Sequence, residues 1–475
     1  MQIVSLCKLK SMNKRSLLVL SLCGLMAFSA CKKSDDNTDI GTGNNPPPVG
    51  STIDIRGAIK TNTTWKKDYK YRLRGYVYVT DGAILTIEPG TQIVSNKDSA
   101  GVLVVYRDAQ ISAIGTATDP IVFTSNETTK APGDLGGLVL AGQATGNGNH
   151  AVMEGGLDPA YSAFGGTNDA HSSGTLKYIR IEYAGKAVNP GDEVNGLSLY
   201  GVGSGTTIDY VEVLRGLDDG FEFFGGTVNL KHLIAYNNAD DDYDMDDGFR
   251  GKIQYAISIK DKAFTDNKGT SGDVSNNFEV DNVNPANGFL LTRAPITFPV
   301  LSNFTLIGPN NASGTSTDYG WSMRWRRGAK FILANSISLG GQKGGMRLQE
   351  DSTIAYYVRG ASAFYNNLLN AVTNNIDLET GRTLSGGTTY DLSSVTTLTT
   401  GTYKTTFLAA AADAKLTDPF NNSAPNLKPA TGSPALTGAL FDYGTLSDAF
   451  FDKVSFRGAL DGTNDWTTGW AVWNK

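Results

Sequence analysis

Residues 217–247 read LDDGFEFFGGTVNLKHLIAYNNADDDYDMDD, and two short patterns recur within them. One is a pair of apolar residues around a variable one: Phe221-Glu222-Phe223, then Tyr243-Asp244-Met245. The other is an apolar residue followed two places later by Tyr, His or Asn, here Leu230-Lys231-His232. Working outward, the first returns at Leu197-Ser198-Leu199, Phe278-Glu279-Val280, Trp321-Ser322-Met323 and Met346-Arg347-Leu348. The second returns at Leu176-Lys177-Tyr178, Ile208-Asp209-Tyr210, Ile253-Gln254-Tyr255, Leu301-Ser302-Asn303 and Leu333-Ala334-Asn335. From residue 176 onward they alternate strictly, at spacings mostly of 10 to 13 residues, with longer gaps that leave room for insertions such as 261–275. One full turn therefore takes about 22–24 residues.

A fixed period of that size, with short strands and Gly- and Asn-rich turns, is the mark of a solenoid. Period-2 alternation of β-branched and aromatic residues prevails and helical periodicity is weak. The expected fold is all-β, a right-handed parallel β-helix with inserted loops. Each coil stacks on the last at about 4.8 Å and pairs its backbone with both neighbours. Like residues then lie on like, so Tyr178, Tyr210, His232, Tyr255, Asn303 and Asn335 are expected to form one column.

Residues 1–30 stand outside that pattern. Met12-Asn13-Lys14-Arg15 is a short basic start, the run from Leu17 to Phe28 is apolar, and Ser29-Ala30-Cys31 closes it. That order is a secretory signal, and the apolar run is shorter than the roughly 20 residues that span a bilayer. Ser29-Ala30-Cys31 resembles the lipobox of bacterial lipoproteins, which implies cleavage after residue 30 and acylation of Cys31. Cys7, Cys23 and Cys31 are the only cysteines, so the mature chain has no thiol pair for a disulfide or zinc site. Residues 31–51, acidic and rich in Pro, Gly and Asn, are too polar to order themselves and are expected to be a tether. Their early acidic residues resemble the surface-export signal of Bacteroidota lipoproteins, which implies a lipid anchor in the outer membrane and a domain facing the exterior. No transmembrane helix is expected in the mature chain. Losing Lys8, Lys10, Lys14 and Arg15 and no acid takes the net charge from −6 to −10, which leaves no electrostatic footprint for nucleic acid.

The solenoid is assigned to residues 52–350, and 351–475 to C-terminal coils, an insertion and a cap, because the period weakens over 351–430 and an open end needs covering. Leu73-Arg74-Gly75-Tyr76-Val77-Tyr78-Val79, Leu85-Thr86-Ile87-Glu88-Pro89-Gly90-Thr91 and Pro120-Ile121-Val122-Phe123-Thr124 resemble the opening coils of pectin-lyase-like β-helix lipoproteins of Bacteroidota. Phe456-Arg457-Gly458-Ala459 and Asp465-Trp466-Thr467-Thr468-Gly469-Trp470 resemble their C-terminal end. The resemblance covers most of residues 55–475 and speaks to fold more than to activity.

In an apolar-x-apolar strand the middle side chain points outward. Glu222, Asp244 and Glu279 should therefore share one outer face, with Asp218, Asp219, Asp242, Asp246 and Asp247 at the flanking turns. Three readings of so many carboxylates are open. They hold a hard cation such as Ca²⁺, which takes about 6–8 oxygen ligands; they are catalytic acids, with Asp218, Asp219 and Glu222 as candidates; or they are turn residues bonded to their own backbone. As metal ligands the candidates are Asp219, Glu222, Asp242, Asp244, Asp246, Asp247 and Glu279. Gly216-Leu217-Asp218-Asp219 resembles the paired aspartates of polygalacturonases, but that family's Gly-His-Gly and Arg-Ile-Lys motifs are missing. Pectate-lyase-like activity would need an Arg or Lys base beside a Ca²⁺ site, for which Arg250 or Lys252 is a candidate that no motif supports.

Arg324, Trp325 and Arg347 are candidate ligand-binding residues, offering rings and guanidiniums for sugars and acidic groups; Trp321 and Met323 fit inward positions. The loop 132–175 breaks the period and is expected to lean over the acidic face. Two functions follow: a surface lipoprotein that binds glycan or another extracellular polymer without turnover, which the incomplete catalytic motifs favour, or a polysaccharide lyase or glycoside hydrolase working from the acidic face.

Overall fold

The computed structural model describes residues 47–189, 192–266, 274–379, 382–383, 387 and 389–473. The proposed signal, Cys31 and most of the tether lie outside the described residues.

Each coil has three short stretches of strand, and the stacked coils form three parallel ladders. The first runs through Gly101–Val105, Leu135–Ala141, Leu197–Tyr200, Phe221–Phe224, Tyr243–Asp246, Phe278–Val280, Trp321–Trp325, Gly344–Leu348 and Ile376–Leu378. The other two share long bent strands, Gly174–Glu182, Thr207–Leu214, Asn229–Tyr236, Lys252–Ile259 and Val300–Ile307, each paired parallel with the next. The chain is a right-handed parallel β-helix. Its alternation is as the sequence dictates: Leu197, Leu199, Phe221, Phe223, Tyr243 and Met245 are fully buried in one continuous core.

The bend in those long strands explains the second pattern. Tyr178, Tyr210, His232, Tyr255, Asn303 and Asn335 have φ of 52°, 56°, 51°, 62°, 58° and 52°. This left-handed conformation turns the chain from the second ladder to the third and costs most residues energy. Stacking offsets that cost. Ring centroids of Tyr178 and Tyr210 lie 4.4 Å apart, those of Tyr210 and His232 4.2 Å, and those of His232 and Tyr255 5.0 Å. Below the rings, Asn303 and Asn335 donate amide hydrogens to the carbonyls of Phe456 and Leu440. The C-terminal segment runs back along this corner, placing Trp466 and Trp470 edge-on against Tyr210 and burying Trp470 completely.

Residues 351–430 contain one more coil, Ala363–Tyr365, Leu368–Ala371 and Ile376–Leu378, flanked by helices Asp351–Val358 and Leu392–Thr400. Tyr357, Val395 and Tyr403 from this region enter the main core at its open end.

One strand differs from expectation. Glu279 pairs with Arg324, not Ser322, and the inward residues are Met323 and Trp325, not Trp321 and Met323. The strand is five residues long and Trp325 anchors it, stacking on Phe331 with centroids 3.8 Å apart.

Candidate functional site: an acidic cleft on the first ladder

The outward residues of the first ladder follow one another coil by coil as Ser198, Glu222, Asp244, Glu279, Arg324, Arg347 and Asp377. Over Glu222 and Asp244 lies a cleft of about 220 Å³. Its lining includes His150 and Glu154 from the inserted loop, Asp218, Asp219 and Asp240 from the turns, and Arg326 and Arg327.

The carboxylates divide into three groups by what they touch. The first serves the turns. Asn195 Oδ1 accepts from the Asp219 N–H, Asp219 Oδ1 from Asp241, Asp241 Oδ1 from Asn276, and Asn276 Oδ1 from Trp321, so one side-chain oxygen per coil caps the next. This is the turn chemistry that Asp and Asn supply, repeated at coil spacing.

The second group is neutralised. Asp242, expected among the metal ligands, lies wholly beneath the surface, away from the cleft lining. It is 3.3 Å from the Lys260 ammonium and is hydrogen-bonded by Ser258 and Asn238. Burial pushes its carboxyl up to about 6 against the pull of Lys260. Glu279 pairs with Arg324 and Arg326, and Asp281 with Arg326 and Arg327. Asp247 accepts from Asn149 and lies 3.0 Å from His150 Nδ1, while His150 Nε2 is 3.3 Å from Glu154. Burial opposes charge on this imidazole, but its bonds to Asp247 and Glu154 prevail and raise it to about 11, so it is a cation. The loop 132–175 does lean over the acidic face, and Asp246 and Asp247 hold it there through Asn149 and His150.

The third group is Asp219, Glu222 and Asp244, whose oxygens come within 4.8 Å of one another. Glu222 accepts from the Asn195 amide, and Asp244 Oδ1 is buried with no hydrogen-bond partner. Burial raises all three carboxyls well above the usual range, and neighbouring acids add to it: Asp218 and Asp240 at Asp219, Glu154 and Asp244 at Glu222, Glu279 and Asp241 at Asp244. Asp219 is shared with a second acidic set, Asp218 and Asp240, and Asp244 with a third, Asp241 and Glu279. Such an arrangement can hold a hard divalent cation or keep one carboxyl protonated beside an ionised one.

The other sequence candidates fall elsewhere. Trp325, expected on the ligand-binding face, is a core residue at 0% exposure. Trp321 instead carries the indole of that face, 4.8 Å from the Arg347 guanidinium. Arg250 reaches Asp169 and Lys252 reaches Asp448, and neither is in the cleft lining. Arg326 and Arg327, which the sequence groups with Arg324 as a basic binding patch, line the cleft, whereas His150, Glu154 and Asp281 were not among the candidates. The one sequence signal for His150 and Glu154 was the broken period of their loop, because the contacts that bring them in cross 97 residues to Asp247.

No curated protein and no solved structure gives a significant match. The family profile described as a pectate-lyase-like β-helix domain matches residues 57–415, which spans both the acidic ladder and the stacked corner. The chain belongs to the pectate-lyase-like β-helix domain family.

Proposed function

We propose that this protein cleaves a polysaccharide at the acidic cleft, as a polysaccharide lyase or a glycoside hydrolase. The observation that carries the reading is the meeting of Asp219, Glu222 and Asp244 in an open cleft, where none of the three forms an ion pair among the described residues. As a hydrolase site, the trio offers a protonated carboxyl beside an ionised one, the pairing that glycoside hydrolysis uses. As a lyase site, the same oxygens would hold a divalent cation such as Ca²⁺, which would stabilise negative charge developing on the sugar as its proton is removed. The test is a panel of neutral and acidic polysaccharides incubated with and without calcium. Reducing ends without ultraviolet absorbance mark hydrolysis; unsaturated, absorbing ends abolished by chelator mark elimination. Glu222→Gln and Asp244→Asn are each expected to lower either activity at least about a hundredfold.

A second reading, glycan binding without turnover, draws on one observation: Arg326 and Arg327, the arginines that line the cleft, are already paired with Glu279 and Asp281. Retained binding with no products across the panel would favour it. We also propose that Cys31 is acylated and tethers the domain to the outer face of the outer membrane. No helix among the described residues is long and apolar enough to cross a membrane, in keeping with a lipid anchor. Incorporation of labelled palmitate that Cys31→Ala abolishes would test it.

A further inference from the structure

Three coils beyond Glu222, the outer face of the first ladder changes character. Arg324 and Arg347 follow Glu279 in register, and the Trp321 indole lies among three cations, 4.8 Å from the Arg347 guanidinium, 5.7 Å from the Lys343 ammonium and 5.8 Å from the Arg324 guanidinium. Gly344 makes room for the ring: a Cβ there would stand 2.8 Å from the indole Cδ1. The indole N–H donates to Asp377 Oδ2 at 2.7 Å, and the same oxygen takes the Arg347 Nη1 at 2.7 Å, which fixes ring and guanidinium against each other.

One donor of this patch is exposed and unused; Arg347 Nε, also without a hydrogen bond, lies beneath the surface. Lys343 is exposed, and among the described residues it forms no ion pair. Burial, offset in part by Asp318 and reinforced by Arg324, lowers its pKa. A preformed aromatic wall flanked by a spare ammonium and by the positive charge of Arg347 matches a sugar ring bearing an anionic substituent.

We infer that Trp321, Lys343 and Arg347 form a subsite for a carboxylated or sulfated sugar unit of the polymer whose chain crosses the acidic cleft. The inference rests on the carbohydrate-active reading and adds the charge of the ligand and the place where it is read. Successive coils rise about 4.8 Å, so the patch lies about 14 Å along the ladder from Asp244. A polymer lying on this face presents its anionic group to the patch while a different unit occupies the cleft.

The test is equilibrium binding of the whole protein to polygalacturonate, dextran sulfate and unmodified dextran, with reducing ends read in parallel. Wild-type protein is expected to bind one or both polyanions, with affinity falling as salt rises, and to bind dextran at least about tenfold more weakly. Preference for polygalacturonate identifies the carboxylate as the group read, and preference for dextran sulfate the sulfate. Lys343→Gln combined with Arg347→Gln should weaken polyanion binding about tenfold and leave the dextran baseline unchanged. Lys343→Arg should bind like wild type. If the double variant melts early, Lys343→Gln alone, an exposed position, carries the comparison. Equal affinity for dextran and the polyanions, or wild-type polyanion binding by both Gln variants, would overturn the subsite. Absence of new reducing ends alongside charge-dependent binding would instead count against the cleavage reading and leave the subsite standing.

Discussion

Two columns of stacked residues run up the same β-helix and meet opposite fates. At the corner, Tyr178, Tyr210, His232 and Tyr255 lie ring on ring under the C-terminal segment, and each extra coil adds a favourable contact. On the first ladder, Glu222 and Asp244 are stacked by the same register, and each extra coil adds a repulsion. A parallel β-helix places like on like wherever the coils repeat, so a column of acids in a cleft is destabilising unless something neutralises it. Arginines do so at Glu279 and Asp281, and among the described residues no cation pairs with Asp244. That contrast is the physical case for a functional site at one column and a structural role at the other.

The largest effect should come from uncovering the corner. Trp470 is fully buried and holds the C-terminal segment to Tyr178 and Tyr210. Trp470→Ala is expected to cost about 3–5 kcal/mol in urea unfolding, as removal of a buried tryptophan does. A loss under about 1 kcal/mol would show that the stacked column stands without its cover, and would remove half of the contrast.

The acidic column should reveal itself through pH. Well below pH 4, the carboxyls of this column are protonated in the folded and unfolded chain alike. As pH rises, the unfolded chain ionises first, while Asp219, Glu222 and Asp244, raised by burial and by one another, keep their protons in the fold. The folded chain then binds more protons, so stability falls with rising pH, and Asp242 adds to the fall up to about 6. Chelated protein is expected to lose about 2–3 kcal/mol between pH 4 and 7, and calcium to remove most of that slope. A stability that rises over this window would break the claim that the column is uncompensated.

A smaller effect tests the same column residue by residue. Asp244→Asn removes a carboxyl whose ionisation the fold opposes and should stabilise the chelated protein at pH 7 by about 1–2 kcal/mol, while removing much of the gain from calcium. If the variant is destabilised with and without calcium, Asp244 belongs to the structure rather than to the site.

The sequence made the β-helix legible because its period and inward apolar pairs are local, and Glu222, Asp244 and Glu279 share a face for the same reason. What it left hidden depends on distance. Asp242 reads like its neighbours until Lys260 is seen beneath it, 18 positions on in sequence and 3.3 Å away in space. Trp321 and Trp325 stand four apart in one strand, where period-2 alternation puts them on the same face, yet only Trp325 is buried, stacked on Phe331. His150 and Glu154 enter the cleft from an insertion whose only local signature is that it interrupts the repeat. The corner column was visible as recurring Tyr, His and Asn, but its left-handed backbone was not, since Tyr and His seldom adopt it.

That backbone gives the finest test of the contrast. His232 contributes a ring 4.2 Å from Tyr210 and 5.0 Å from Tyr255, and a φ of 51°. Asparagine tolerates this conformation better than most residues and already occupies the corner at Asn303 and Asn335. His232→Asn therefore keeps the bend and deletes the ring, and should cost about 0.5–1.5 kcal/mol, the worth of an aromatic contact. His232→Val deletes the ring and also forces a β-branched residue into the left-handed region, which should cost about 1–2 kcal/mol more. If the two variants unfold at the same urea concentration, the bend is unstrained and the rings alone define the column. If Asn equals wild type while Val falls, the column is a backbone device and the stacking of its rings adds nothing measurable.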